Sequence, residues 1–297
     1  MRAARRLSFE SMTAWAFMAP GLTVIAIFVV WPIVYSVPLS LTNYSVIGDT
    51  SFVGLGNFAR AFEDRNFLAS LWNSVLYILV VPFIQMFSIL MAILVNSKLP
   101  GIQAFRTAYY IPVVTSMVAV AIAIIWHWLL SNNGIVNYVL LSLGVIDRKI
   151  GWLSNSDTAL FVLMFITMWK GLGYYMMLYL AGLQSIPAEL YEAAKIDGGS
   201  LRQVIANITI PLLRPYVLFC SLISLMGAIR VFDEMFILTD GGPGTSTLTS
   251  SLYIYQQGIE QFNFGYASAL GLIVSVVVGA LSVLVFKINR KGGVHPY

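Results

Sequence analysis

Six long apolar stretches partition this sequence, and they constrain its fold more than any other feature. They cover about residues 14–36, 71–95, 108–130, 159–180, 212–238 and 265–286, the fifth losing apolar character from Arg230 onward. A helix needs roughly 20 apolar residues to cross the hydrocarbon core of a bilayer. Inside lipid every backbone N–H and C=O must find a partner within the protein, which a helix provides by itself. Composition points the same way: 59% of the 297 residues are hydrophobic and 10% are charged, against about 25% charged in soluble domains. A soluble core of this size cannot enclose so much apolar surface. The expected fold is all-α and integral to the membrane, a bundle of about six transmembrane helices forming one domain over residues 1–297. The sequence shows no separate soluble domain, low-complexity tract or internal repeat of 20–50 residues.

Lysine and arginine in the connections set the expected orientation. With the N-terminus inside, the inner segments hold Arg2, Arg5, Arg6, Lys98, Arg106, Lys195, Arg202, Arg214, Lys287, Arg290 and Lys291. The outer loops hold Arg60, Arg65, Arg148, Lys149 and Arg230, together with acidic residues such as Asp49, Glu63, Asp64, Asp233, Glu234 and Asp240. Both termini are therefore expected on the cytoplasmic side. The first stretch is too long for the apolar region of a cleaved secretory signal, and it is expected to be retained. Trp15, Trp31, Trp72, Trp126, Trp128 and Trp152 lie near predicted span ends, where an interfacial aromatic belt belongs. Pro20, Pro82 and Pro112 fall in or at the start of spans, so kinked, packed helices are expected.

Several function classes find no support in the residues. Basic side chains are scattered in short groups rather than gathered in one patch, which argues against nucleic acid. A phosphate-binding Gly-x-x-x-x-Gly-Lys-Ser/Thr sequence is missing. One cysteine, Cys220, and two histidines, His127 and His295, are too few for a usual zinc site. His127, between two tryptophans, reads as a membrane-anchoring residue or as a proton relay. Asn73, Ser74, Gln85 and Ser88 form a polar stripe on the second span, which either bonds neighbouring helices or lines a pathway.

The connection between the fourth and fifth spans, 187–211, is not an ordinary short loop. Pro187 can open a helix, because its missing N–H would be unpaired there in any case. Glu189 and Glu192 follow in the first turns, where acidic side chains offset the helix dipole. Leu190, Ala193, Ala194 and Ile196 give a small, weakly apolar face, Gly198-Gly199 breaks the helix, and helical spacing resumes from Leu201 to Ile210. The expected product is a helix–turn–helix whose smooth alanine surface suits a groove on another protein.

The run Glu192-Ala193-Ala194, three residues, Gly198, nine residues, Ile208-x-Ile210-Pro211 resembles the "EAA" loop of binding-protein-dependent ABC permeases. Ile210 stands where leucine is usual, and Gly199 where alanine is usual. The resemblance extends over essentially the whole chain. Met18-Ala-Pro-Gly21, Phe52-Val-Gly-Leu-Gly-Asn-Phe58, Ala181-Gly-Leu-Gln-Ser-Ile-Pro187, Leu238-Thr-Asp-Gly-Gly-Pro243 and Phe264-Gly-Tyr-Ala-Ser-Ala269 look like the carbohydrate-uptake branch, similar to maltose and glycerol-3-phosphate permeases. A counterpart to the two extra N-terminal spans and the large outer domain of some maltose-type subunits is not expected.

The resemblance implies a non-enzymatic permease subunit of an ATP-driven importer in a bacterial or archaeal cytoplasmic membrane. Its implied partners are a second homologous permease, two ATPase subunits, an extracytoplasmic solute-binding protein and the lipid bilayer, with no nucleic acid. ATP and Mg are implied to belong to the ATPase subunits, with no cofactor or metal on this chain. Glu189, Glu192, Ala193, Ala194, Asp197, Gly198 and Gly199 are implied to couple it to those ATPases. The solute, a sugar, oligosaccharide, polyol or glycerol phosphate, is implied to pass between the fourth and fifth spans. Thr167, Lys170, Gly171 and Tyr174 share one helical face there, as do Ser224, Gly227, Ala228 and Val231. Gly171 would leave space for a sugar ring, and Tyr174 would offer an aromatic platform with a hydroxyl. Lys170 is expected either to serve the solute or to pair with Asp233 or Glu234, and Gly227 and Ala228 either to line the path or to pack helices closely. Gly241, Gly242 and Pro243 sit in a tight turn that either receives the binding protein or simply joins two spans. An ion-coupled carrier would show more buried ionisable groups, and an intramembrane enzyme would need paired carboxylates or a nucleophile–base pair inside the spans.

Overall fold

The computed structural model describes residues 2–46, 50–96, 100–115 and 119–290. Asp49, Lys98, Lys291 and His295 lie outside the described residues. Among those described, every regular element is a helix, and extended pairing is limited to one isolated antiparallel bridge between Thr42 and Phe52. Among the described residues, five helical segments are long and apolar enough to cross a membrane: α1 (Met12–Ser40), α2 (Arg65–Val95), α5 (Ala159–Gln184), Arg214–Leu238, and Phe264–Lys287 within α9 (Phe264–Arg290). The remaining expected span, 108–130, falls on α3 (Ile102–Thr115) and α4 (Ala119–Leu130), on either side of residues outside the described set.

Element ends depart from the hydropathy reading for local chemical reasons. The second span begins six residues before the expected 71, because Asp64 caps it. Its carboxylate accepts from the backbone N–H of Asn66 at 3.0 Å and of Phe67 at 3.2 Å, which starts the helix inside a polar segment. The fifth span, expected as one run over 212–238, is interrupted. α7 (Arg214–Ile229) ends at Arg230, and the short α8 (Asp233–Leu238) follows after Phe232 leaves helical geometry. The break coincides with the point where Arg230 and Asp233 end the apolar run. Pro82 removes a donor and crowds the carbonyl of Ile78, and a tighter turn at Tyr77–Leu79 accommodates it.

The chain forms two compact units. One comprises Met1–Glu63 with Ile254–Ile273. Within it, Asn57 Nδ2 donates to the carbonyls of Ser40 at 2.8 Å and Thr42 at 2.7 Å, and Gly265 N donates to Tyr44 O at 3.0 Å. The Arg60 guanidinium lies 4.0 Å from the centre of the Tyr266 ring. The segments 52–58 and 264–269 therefore fasten the end of α1 to the start of α9.

The other unit, Asp64–Tyr253 with Val274–Tyr297, holds α2, α5 and α7 against one another. Its core is closed by fully buried Tyr77, Leu163, Ile166, Met176 and Tyr179. Gly173 marks the tightest approach, since a Cβ there would stand 2.0 Å from the carbonyl oxygen of Tyr109 on α3. Trp126 packs edge-on against Phe165 and Trp169 of α5, with ring centres 5.9 and 5.5 Å apart. The polar stripe of α2 bonds its neighbours. Asn73 Nδ2 donates to the carbonyls of Thr245 (2.7 Å) and Leu248 (2.9 Å), and Ser74 Oγ accepts from Ser250 N at 2.9 Å. Gln85 Nε2 donates to Ser224 Oγ at 2.8 Å while its Oε1 accepts from the Tyr179 hydroxyl. One glutamine thus ties α2, α5 and α7 together in a buried setting, where an unmade hydrogen bond would cost several kcal/mol.

Candidate functional site

The eight residues read from the sequence as a path converge. Thr167, Lys170, Gly171 and Tyr174 from α5, with Ser224, Gly227, Ala228 and Val231 from α7 and its end, line one open cavity of about 450 Å³. The helical periods of the two segments bring these positions to facing sides. Gly227 borders open space, since a Cβ there would meet nothing within 4 Å. Gly171 is different: a Cβ would make ordinary contacts with Ile84 and Tyr175 at 3.6 Å. Ser224 and Ala228 are buried at the wall, and Ser224 belongs to the Gln85 bond network. Thr167 Oγ1 is 2.7 Å from the Tyr77 hydroxyl, which orients that part of the wall.

Tyr174 is 38% exposed, and its ring stands at 80° to that of Tyr175 with centres 5.1 Å apart. That neighbour fixes the ring while leaving its hydroxyl without a partner among the described residues. Lys170 pairs with Glu234. The lysine side chain is 27% exposed and the glutamate 10%, so the pair forms part of the wall. Arg230 and Asp233 also border the cavity, at the break between α7 and α8.

Sequence periodicity missed the contributions of the other helices. Val80 and Ile84 of α2 and Val113 of α3 border the same cavity, as do Tyr175 and Phe232. Val80 and Ile84 lie one helical turn apart and close to Gln85, which was the available signal. Which faces of α2 and α3 meet α5 depends on packing that no single helix encodes.

The connection 187–211 forms the expected helix–turn–helix. α6 (Ala188–Ile196) starts after Pro187, carries Glu189 in its first turn, and ends at Asp197. Gly198 follows at φ +73°, where a side chain would be strained, so the reversal depends on glycine. Ser200 then caps the next helix reciprocally: its backbone N–H donates to Gln203 Oε1 at 2.8 Å and its Oγ accepts from Gln203 N at 3.4 Å. Helical spacing over 201–210 does not continue as plain α-helix. Leu201–Val204 passes into a wider π turn at Ile205–Thr209. Pro211 lacks the N–H that an α-turn would use, and the ladder is re-spaced just before it. α6 has no buried residue. Glu189, Glu192, Ala193, Asp197, Gly198 and Gly199 are exposed and Ala194 is half-buried, while Ile196 is 86% and Leu201 74% exposed.

At the other end of α7, the turn after α8 has positive φ at Asp240, Gly241 and Gly244. Thr247 Oγ1 donates to Gly242 O at 2.8 Å, and Gly242 N donates to Thr239 O at 2.8 Å. Gly241 is buried against Leu248, whereas Gly242 and Pro243 are half-buried. These two border a second cavity of about 460 Å³, shared with His127, Asn132 and Trp152. Asn137 organises that neighbourhood: it accepts from the Trp152 indole N–H at 3.2 Å and exchanges bonds with Ile150.

Residues 67–291 match the family described as "Binding-protein-dependent transport system inner membrane component". The chain is 38% identical over 289 residues to the lactose transport system permease protein LacF of Rhizobium radiobacter, covering 95% of this chain and 96% of that protein. It is 32% identical over 282 residues to the arabinooligosaccharides transport system permease protein AraP of Bacillus subtilis (strain 168), covering 93% and 88%. Its fold matches a chain in the crystal structure of a bacterial alginate ABC transporter in complex with an alginate pentasaccharide-bound periplasmic protein. The TM-score is 0.84 at 24% identity, over 98% of each chain.

Proposed function

We propose that this chain, which belongs to the family of inner membrane components of binding-protein-dependent transport systems, is the permease subunit that carries a sugar or oligosaccharide through the cavity between α5 and α7. The observation that carries the reading is the convergence of eight residues from two spans on one cavity, with an exposed tyrosine beside it. An aromatic face next to donors and acceptors is chemistry suited to a polyhydroxylated ring. The lactose and arabinooligosaccharide relatives support the choice of carbohydrate as solute.

Six spans with both termini cytoplasmic, one permease domain over 1–297, and a bacterial or archaeal cytoplasmic membrane complete the proposal. The exposed α6 with its glycine turn supports docking into ATPase subunits through Glu189, Glu192, Ala193, Ala194, Asp197, Gly198 and Gly199. Two such ATPases, holding ATP and Mg themselves, would act on this chain and a second homologous permease. The half-buried Gly242 and Pro243 beside the Trp152 cavity support a docking place for the solute-loaded binding protein, with Gly241 shaping the turn beneath them.

Closure of the ATPases would move α6, and α7 would transmit the motion from one end of the cavity to the other. Reconstitution of this chain with its companion permease, ATPases and binding protein in proteoliposomes tests the reading. ATP-dependent uptake of a labelled oligosaccharide is expected. An assembled complex that hydrolyses ATP yet moves no carbohydrate offered with its binding protein would overturn it.

A further inference from the structure

We infer that Glu234 sets the charge class of the solute: by holding Lys170 in an ion pair it keeps the cavity wall charge-balanced, so the cavity accepts uncharged carbohydrate and disfavours uronates and phosphorylated polyols. The inference rests on the reading that this cavity carries the solute.

Four side chains of formal charge border the cavity, Lys170 and Arg230 positive, Asp233 and Glu234 negative, and the charges cancel. Their arrangement is uneven. Lys170 lies within the long α5, where a charge demands a partner or water, and buried Glu234 of α8 is that partner. Among the described residues this is the one ion pair; Arg230 and Asp233, both exposed, form none. A carboxylate or phosphate arriving beside Lys170 must share the ammonium with the buried Glu234 carboxylate, which repels it at short range and loses part of its own compensation. A neutral hydroxyl meets no such obstacle. The Tyr174 hydroxyl is without a partner among the described residues, and Arg230 and Asp233 offer a donor and an acceptor on the same wall. Of the two roles the sequence leaves to Lys170, serving the solute or pairing with an acidic neighbour, the structure shows the pairing with Glu234.

The test uses the assembled transporter in detergent without its binding protein, so that selection by the binding protein does not enter. A panel of neutral di- and trisaccharides and the uronates of matching length is measured by equilibrium dialysis. Wild type is expected to bind its preferred neutral saccharide at least about tenfold tighter than the matching uronate. Glu234→Gln, which frees the Lys170 charge, is expected to shift that ratio toward the uronate by about tenfold. The double variant Lys170→Gln/Glu234→Gln, neutral at both positions, is expected to regain the neutral preference. Should Glu234→Gln fail to assemble, Lys170→Gln provides the comparison and is expected to lower uronate binding further. Equal binding of both classes by wild type, or an unchanged ratio in Glu234→Gln or Lys170→Gln, overturns the inference. Binding of no saccharide at all by wild type overturns the cavity reading itself, and the inference with it.

Discussion

The cavity wall and the helix–turn–helix at 187–211 are stabilised in opposite ways. The wall is finished within the chain: Gln85 joins three helices through Tyr179 and Ser224, Tyr77 bonds Thr167, and Lys170 pairs with Glu234. The helix–turn–helix is held mainly by local devices, the Gly198 reversal and the Ser200–Gln203 cap, with one longer link from the Tyr191 hydroxyl to Thr209 at 3.3 Å. It presents Ile196 and Leu201 to the surroundings instead of packing them. A surface that is locally rigid but globally unpacked suits a moving partner, while an internally bonded wall suits a path whose shape must persist. Defects should therefore separate: those in the loop should break coupling, those behind the wall should break folding, and those on the wall should alter transport.

The largest effect is expected from Gly198→Asp. The strained φ and added charge should lower ATP-driven uptake by more than about 100-fold while membrane insertion and yield stay normal, which vesicle uptake and quantitative blotting read. Normal uptake would erase the contrast. Next comes Gly173→Ala, whose Cβ would meet Tyr109 O at 2.0 Å. A cost of about 3 kcal/mol or more is expected, seen as a clear drop in the melting temperature of the purified subunit. Gly227→Ala is its control, expected to be neutral or to gain up to about 1 kcal/mol, because the added methyl enters open space from within a helix. Gln85→Leu is expected to cost about 1–3 kcal/mol in the same melt by leaving the buried Tyr179 hydroxyl without its acceptor, while Ser224 Oγ still donates to Cys220 O. The smallest effect is expected at the turn after α8. Single cysteines at Gly242 and Pro243 should label a few-fold more slowly when the loaded binding protein is present, and Gly241→Cys should label poorly in both conditions. Equal labelling at 242 and 243 would leave that turn as a mere connection.

Sequence reading recovered what depends on neighbours along the chain. Hydropathy located the apolar segments, and the Gly198-Gly199 pair marked the reversal after α6. Helical spacing alone put Thr167, Lys170, Gly171 and Tyr174 on one face, because a single helix fixes that geometry whatever packs on it. It failed where the answer lies between elements. Lys170 offered two acidic partners, Asp233 and Glu234, and only the placement of α8 selects Glu234. Apolar content carried the fifth span through to residue 238, whereas backbone geometry stops α7 at Arg230. The sequence has Gly171 leaving space for a sugar ring and Gly227 either lining the path or packing helices, yet a Cβ at Gly171 meets ordinary neighbours and one at Gly227 borders open space.

The measurement closest to the central claim fills the cavity from the position that has room for it. Gly227→Trp in the reconstituted transporter should direct an indole into the space between α5 and α7, from a position where an added Cβ would meet nothing within 4 Å. Uptake of labelled oligosaccharide and ATP hydrolysis stimulated by the binding protein are then followed in the same proteoliposomes. Uptake is expected to fall to background while the complex stays assembled and still hydrolyses ATP. Uptake at the wild-type rate through a complex carrying that tryptophan would contradict the claim.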